Sequence, residues 1–540
     1  MTTTDHRFFG ILVLVILLCH YPVASSYLWD DRLLILENPW TKDWSHVWDI
    51  WTWDLWNNIP GEHTHHWYRP MMALHLIVDE QLFSSALLPR QIVSVLWFIG
   101  SIYLLFRFIR TNTDFAPMYI YVAITVFALH PIQAELLQVI VGRNDSMALC
   151  FVVLGLVALS NTRISIAFSA ISFTLALCSK ESALVWMGIL GVLLLIHPQK
   201  RTKFFISAGI SVVIWILLRR NAIDMFSQGY HPTIQNPTLL LAHGIGDLLS
   251  FPLHPLQPPP EQWTTSSVLW GLVLCTGIFF SRTRYQWWAI AIYVVGIELA
   301  LLATQTSHTI GFRYYGLPLF GLAMWTLATL QSYHHKSHRF SSIQYSTPSV
   351  LVYVLISIGW NHIAPKDLWQ DDHHFWLSGW QQYPSSYTAC GYFKSIEKEA
   401  INLEISPDIA LEFLHQAVSA PASAHCCFNA TIFPLRLQRP DIAVTMGEYA
   451  TQYCSASPEL LAPWALGYAL MGDWDRAESI ATTLHNDPFG YTAVILSAAA
   501  LRRNDRSQLE YWAQSNGEHT PAESIQLLEA QAQQLLQISP

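Results

Sequence analysis

Two adjacent carboxylates, Asp30 and Asp31, stand a few residues beyond the first apolar segment, in Tyr27-Leu-Trp-Asp-Asp-Arg32. An acidic pair beside a membrane segment costs desolvation and self-repulsion, and that cost more often marks a site than a scaffold. Cations recur in short polar stretches further along: Arg69 in Trp67-Tyr-Arg-Pro70, Arg143 in Gly142-Arg-Asn-Asp145, Lys180 in Ser179-Lys-Glu181 and Arg313 in Gly311-Phe-Arg-Tyr-Tyr315. These residue types suit the displacement of a phosphate leaving group. Guanidinium and ammonium groups stabilise charge that grows on phosphate oxygens, Arg as a bidentate fork and Lys as a point charge. A carboxylate orients an incoming hydroxyl and takes its proton late, because an Asp near its ordinary pKa cannot ionise a Ser or Thr hydroxyl in the ground state. Asp30 or Asp31 suits that task, which leaves the other to position substrate.

The elements that hold these residues follow from composition. A chain of 540 residues that is 52% apolar, 13% aromatic and 12% charged is too apolar for an ordinary soluble protein and reads as an all-α, polytopic membrane bundle. Its net charge of -9, with positive residues confined to a few short loops, excludes a basic nucleic-acid binder. Apolar windows fall at roughly 8–26, 92–109, 117–131, 146–160, 163–179, 182–197, 204–219, 266–281, 286–303, 314–331 and 348–363, about eleven candidate spans. Arg107 and Arg110, Arg163, Lys200 with Arg201 and Lys203, Arg282 with Arg284, and Lys336 with Arg339 then share one side, which the positive-inside bias makes cytoplasmic together with the amino terminus. The same count makes residues 237–252, with His243 and Asp247, a re-entrant or surface helix; a further span is the competing reading. The first segment has an alternative as a secretory signal, with small residues at Val23-Ala-Ser-Ser26, although Asp5 and a single Arg make a poor n-region.

This topology sorts the charges onto one face. The first outer loop, about 28–91, carries the acidic pair, Asn38-Pro39, Trp44, Trp48, Trp51, Trp53, Trp56 and Arg69, and its Trp density suits amphipathic helices in the membrane interface. The second holds His130-Pro-Ile-Gln-Ala-Glu135 and then Arg143 and Asp145; Lys180-Glu181 and Arg313-Tyr314 follow on the same side. Each motif also has a plainer reading: a snorkelling Arg143 beside a helix-capping Asp145, or a Lys180-Glu181 pair that merely flanks two spans. Glu62-His-Thr-His-His66 reads as a polar loop, without the second ligand cluster a metal site needs.

Beyond about Pro365 the material changes to amphipathic helical spacing. Pro407-Asp-Ile-Ala410 recurs as Pro440-Asp-Ile-Ala443, and Trp474-Asp-Arg-Ala477 follows, so a small alanine returns at the tetratricopeptide period. The sequence thus divides into a membrane domain, 1–364, and an α-solenoid of tetratricopeptide-like repeats, 365–540, with a concave binding face. Cys390, Cys426, Cys427 and Cys454 lie in this tail, on the outer side, where an even number of thiols can pair; the pairing is not readable from spacing. Asn429-Ala-Thr431 matches a glycosylation sequon.

The order Leu28-Trp-Asp-Asp-Arg32 through Asn38-Pro39, Tyr68-Arg-Pro70, Leu129-His-Pro-Ile-Gln-Ala-Glu135, Gly142-Arg-Asn-Asp145, Ser179-Lys-Glu181 and Arg313-Tyr-Tyr-Gly-Leu-Pro318 resembles the transmembrane and tetratricopeptide-repeat family of protein O-mannosyltransferase-like proteins, of the GT-C glycosyltransferase class. The resemblance implies an inverting transferase that moves a sugar, such as mannose or another hexose, from a polyprenyl or dolichyl phosphate to Ser/Thr hydroxyls of a protein on the periplasmic or lumenal face. It implies no metal or other cofactor, Asp30 and Asp31 as the catalytic pair, and Arg69, His130, Glu135, Arg143, Asp145, Lys180, Glu181, Arg313 and Tyr314 as donor-binding residues. Gly-Phe before Arg313 departs from the acidic-Arg-Tyr pattern of the family. The protein acceptor would be held by the repeats, and the expected home is a bacterial inner membrane with the tail in the periplasm, or an endoplasmic reticulum with the tail in the lumen. The rival expectation is a non-catalytic membrane scaffold whose repeats assemble envelope or quality-control partners.

Overall fold

A computed structural model describes residues 2–20, 24–36, 38–56, 67–131, 133–159, 164–194, 198–222, 283, 285–294, 316–336, 357, 371–382, 386–402, 404–418, 424–454, 458–484, 490–515 and 521–539. Every regular element among them is helical. The first unit contains α1 (Thr3–Cys19), α2 (Pro70–Phe83), α3 (Leu87–Asn112), α4 (Pro117–Leu129), α5 (Gln133–Gln138), α6 (Arg143–Val157), α7 (Ile164–Ser179), α8 (Ala183–Gly191) and α9 (Pro198–Ala222), with later helices at 285–294, Gly316–Lys336 and Asp372–Gln382. Local chemistry sets several starts. A capping box opens α1, where the Asp5 N–H donates to Thr2 Oγ1 and the Thr2 N–H to Asp5 Oδ2. Proline stands in the first turn of α2 and of α4, where its missing N–H costs nothing.

The long helices alternate in direction, and their ends sort into two groups. At one end Asp5 accepts from the Tyr121 hydroxyl at 2.7 Å beside Arg110, Lys200 reaches Asn112 at 3.2 Å, and the Ala116 N–H donates to Gln331 at 3.3 Å. Asp31, Arg69, Arg143, Asp145, Lys180 and Glu181 occupy the opposite end. Between the ends lies an aromatic and aliphatic core that includes Phe98, Phe106, Phe127, Val152, Phe173 and Leu190. The outside is also apolar: Leu88, Ile92 and Leu96 make an i, i+4, i+8 stripe on α3, and Phe205, Ile206, Val213 and Leu217 stand exposed on α9. Exposed apolar area of this extent calls for a nonaqueous covering.

By length and composition, three helical stretches among the described residues can cross a membrane: Leu87–Asn112, Ile140–Val157 and Gln199–Ala222. That is fewer than the about eleven spans expected from sequence windows. Helices at Pro117–Leu129, Ser165–Ser179, Ala183–Leu194 and Leu319–Thr329 are apolar but shorter, because a window of hydropathy also counts the turn residues that end each helix. The windows at 266–281 and 348–363, apart from Ser357, lie outside the described residues, as do His243 and Asp247 in 237–252 and the 62–66 polar loop. The Trp-rich part of the first outer loop is built from short 3₁₀ turns, Pro39–Lys42, Trp44–Val47 and Asp49–Trp51, and not from the amphipathic helices expected. Asn38 and Asp43 each restart the chain by accepting an N–H two residues ahead, from Trp40 at 3.2 Å and Ser45 at 2.8 Å.

The second compact unit begins at Pro384, so residues 365–383 group with the first unit. It consists of consecutive short helices, Ser386–Ile401, Pro407–Ala417, Ala424–Arg436, Pro440–Ala450, Pro458–Leu470, Trp474–Ala481, Tyr491–Arg502 and Arg506–Ser515, closed by Pro521–Ile538. The recurring alanines, Ala410, Ala443 and Ala477, are all fully buried where helices touch. Gly447 lies so close under the Trp464 ring that an added Cβ would sit 2.2 Å from it. The sequon is not a surface feature: Asn429 and Thr431 are buried inside the Ala424–Arg436 helix. Disulfides join Cys390 to Cys426 and Cys427 to Cys454. Opening the latter with Cys454→Ser should lower the stability of this unit by about 2–4 kcal/mol, read as a drop in its thermal unfolding midpoint, and a reducing agent, which opens both bridges, should lower the parent's midpoint further.

Candidate functional site

The acidic pair is asymmetric. Asp31 is fully buried, and its carboxylate accepts the backbone N–H of Ile140 at 2.7 Å and of Val141 at 2.8 Å, one on each oxygen. Those amides belong to the 3₁₀ turn Ile140–Gly142 that leads into α6, so they are donors with no partner within their own helix. Burial pushes the Asp31 carboxyl up to about 7, opposed by the two amides and by Arg143 and reinforced by Asp30. Asp30 is only half-buried. Of the two carboxylates expected to act in catalysis, Asp30 is the more exposed, and Asp31 ties the loop after α1 to the start of α6.

Arg143, expected to bind the donor, is an internal group in this structure. It is fully buried, with Nη1 to Asp79 Oδ2 at 2.7 Å, Nη2 to the Arg90 carbonyl at 2.7 Å and Nε to Ser94 Oγ at 3.1 Å. Arg90, also fully buried, pairs with Glu80 and donates to the Ser84 carbonyl. Burial raises the Asp79 carboxyl while the Arg143 guanidinium holds it down. Two arginines and two carboxylates thus lock α2, α3 and α6 together beneath the outer end.

Next to that lock the polar side chains are more open. Lys180 meets Asp145 at 2.6 Å, which joins the start of α6 to the turn between α7 and α8. The neighbouring Glu181 takes Arg69 Nε at 3.1 Å and Nη2 at 3.0 Å on Oε2, and lies 3.7 Å from Arg219 Nη1 through Oε1. Each arginine is backed by an indole: Arg69 stands 4.5 Å from the Trp67 ring and Arg219 5.4 Å from Trp215. The side chains of Arg69 and Arg219 are 13% and 24% exposed. Arg219, at the end of α9, is absent from the sequence-derived set. Its signal was present in the chain: an Arg pair, Arg219-Arg220, at the outer end of a span runs against the bias that keeps cations inside.

The remaining candidates are scattered. His130 is buried at the end of α4, where its carbonyl accepts the Gln133 N–H at 3.0 Å, and Glu135 lies on α5. Arg313 and Tyr314 lie outside the described residues. Sequence reasoning also missed Asp372, whose Oδ1 accepts the Trp29 N–H at 2.8 Å. Trp29 has φ 52°, a left-handed backbone that costs an L-residue about 1–2 kcal/mol. No protein-family model matches the chain, and neither a curated protein nor a solved structure matches it.

The buried lock makes a prediction about stability. Arg143→Met leaves Asp79 charged and unpaired and should destabilise the fold by about 3–5 kcal/mol, whereas Arg143→Met with Asp79→Leu should recover most of that loss. Denaturant unfolding of both variants in the same detergent measures the difference.

Proposed function

We propose that this chain is an integral membrane, multi-pass glycosyltransferase of GT-C type that transfers a hexose such as mannose from a polyprenyl phosphate to Ser/Thr hydroxyls of a protein. The carrying observation is convergence: Arg69 ahead of α2, Asp145 on α6, Lys180 and Glu181 between α7 and α8, and Arg219 on α9 meet at one end of a bundle whose outside is apolar. A lipid-linked phosphate approaches from that apolar side and meets cations at the polar end. In the reaction the acceptor oxygen bonds to the anomeric carbon, the bond from that carbon to the phosphate oxygen breaks, and its electron pair passes to the phosphate. Arg69, Lys180 and Arg219 stabilise the second negative charge that results, and Asp30 takes the acceptor's proton. Glu181 holds Arg69 near Arg219 until the donor's phosphate competes for them.

The order of the sequence motifs supports the same reading. The two disulfides suit an oxidising compartment, so the tail is assigned to a periplasm or lumen, where its helix pairs act as tetratricopeptide-like repeats that hold the acceptor. A second reading, a membrane scaffold without catalysis, draws on the commitment of Asp31 and Arg143 to internal partners.

Asp30→Asn should reduce transfer from a labelled polyprenyl-phosphate hexose by roughly 10²–10⁴-fold at an unchanged unfolding temperature. Full activity in that variant would remove Asp30 as the base. Arg219→Gln should raise the donor KM by about tenfold, the loss of a charge-assisted contact of about 1.4 kcal/mol, in steady-state assays that vary the donor.

A further inference from the structure

Asp30 is held from two sides. On its carboxyl side Asp31 is fixed by the Ile140 and Val141 amides. On its amino side stands Trp29 at φ 52°, a conformation that a bulky aromatic residue keeps only where its surroundings impose it. What imposes it here is the helix Asp372–Gln382. The Trp29 N–H donates to Asp372 Oδ1 at 2.8 Å, and the Trp29 ring lies 5.7 Å from Phe375 and 6.1 Å from Trp376. The Asp372 N–H returns to Ser26 Oγ at 3.3 Å, so the start of this helix clasps residues 26–29 in both directions.

The charged surroundings of Asp372 agree with a fixed position. Burial pushes the Asp372 carboxyl up to about 6, opposed by the Trp29 N–H and Arg32 and reinforced by Asp371, which is itself engaged with His374. Asp371 does a separate job, since it caps the same helix by accepting the His374 N–H at 2.8 Å. The backbone angles of Trp29 set the direction in which the next residue leaves. We infer that Asp372 is a positioning residue: by accepting the Trp29 N–H it holds Trp29 left-handed and thereby aims the Asp30 carboxylate. The inference rests on the reading of Asp30 as the base.

The test compares full-length Asp372→Leu, Asp372→Asn and Asp371→Ala with the parent protein, by hydrogen exchange over residues 26–36 and by transfer kinetics with a polyprenyl-phosphate hexose. Leu keeps the branched outline of Asp and cannot accept a hydrogen bond; Asn matches Asp in size and keeps an accepting oxygen. In Asp372→Leu the amides of residues 29–31 should exchange at least about tenfold faster, and kcat should fall at least about tenfold at an unchanged donor KM, as misplacement of one group predicts. Asp372→Asn should stay within about threefold of the parent in both measurements, because a neutral acceptor still serves the N–H. Asp371→Ala should leave exchange over residues 29–31 as in the parent. Unchanged exchange in Asp372→Leu, exchange in Asp372→Asn as fast as in Asp372→Leu, or an equal effect from Asp371→Ala overturns the positioning role, whatever the transfer assay shows. An active parent whose kcat survives opening of the segment overturns it as well. A parent that transfers nothing while Asp372→Leu opens the segment sinks the transferase reading and leaves the clasp of Trp29 standing.

Discussion

Much of the polar end of the bundle depends on one short stretch of backbone, residues 140–145. Its first two amides would be orphans at a helix start, and Asp31 takes both of them. One residue past the turn, Arg143 points inward to Asp79 and the Arg90 carbonyl, and two residues later Asp145 meets Lys180. Loop one, α2, α3 and the α7–α8 turn are thereby referred to a single short stretch of backbone. The amides that hold Asp31, the buried Arg143 guanidinium and the Asp145 partner of Lys180 lie within six residues, so an error in this turn would displace all three contacts.

Burial divides the charges by task. Charges taken fully from water need complete pairing, or the desolvation cost is left uncompensated, and Arg143 with Asp79 satisfies this. Charges left partly wet cost less to separate, and Arg69, Glu181 and Arg219 belong to that group. An anion can enter only where existing pairs are cheap to exchange. The two arginines differ further in support, because the indoles of Trp67 and Trp215 provide faces along which the guanidiniums can shift without losing contact.

Residue type was enough to single out Asp30, Lys180, Glu181 and Arg69 as candidates, because charge between apolar segments is conspicuous in a sequence this poor in it. What those residues touch was not readable: Asp31 meets amides 109 and 110 positions away, and Arg143 meets Asp79 across 64. Nothing local distinguishes an Arg at a helix start that faces solvent from one sealed in a network, so the burial of Arg143 was not readable. The alanine period was legible because a helix contact tolerates only a small side chain, and Ala410, Ala443 and Ala477 are buried accordingly. The Trp-rich turns were misread as helices because aromatic density signals an interface without fixing a backbone, while Asn38-Pro39 and Asp43 decided the conformation.

The two disulfides leave from adjacent residues, Cys426 and Cys427, on one helix. Successive side chains on an α-helix point about 100° apart, so each bridge departs in its own direction, one back along the chain to Cys390 and one forward to Cys454. Exchanging the partners would require the whole helix to rotate by that angle and would turn the buried Asn429 and Thr431 out of the interior. Mispairing is therefore discouraged by packing and not by distance, and the rotational setting of this helix, once oxidised, is carried by covalent bonds to the helix Ser386–Ile401 and to the turn after Pro440–Ala450.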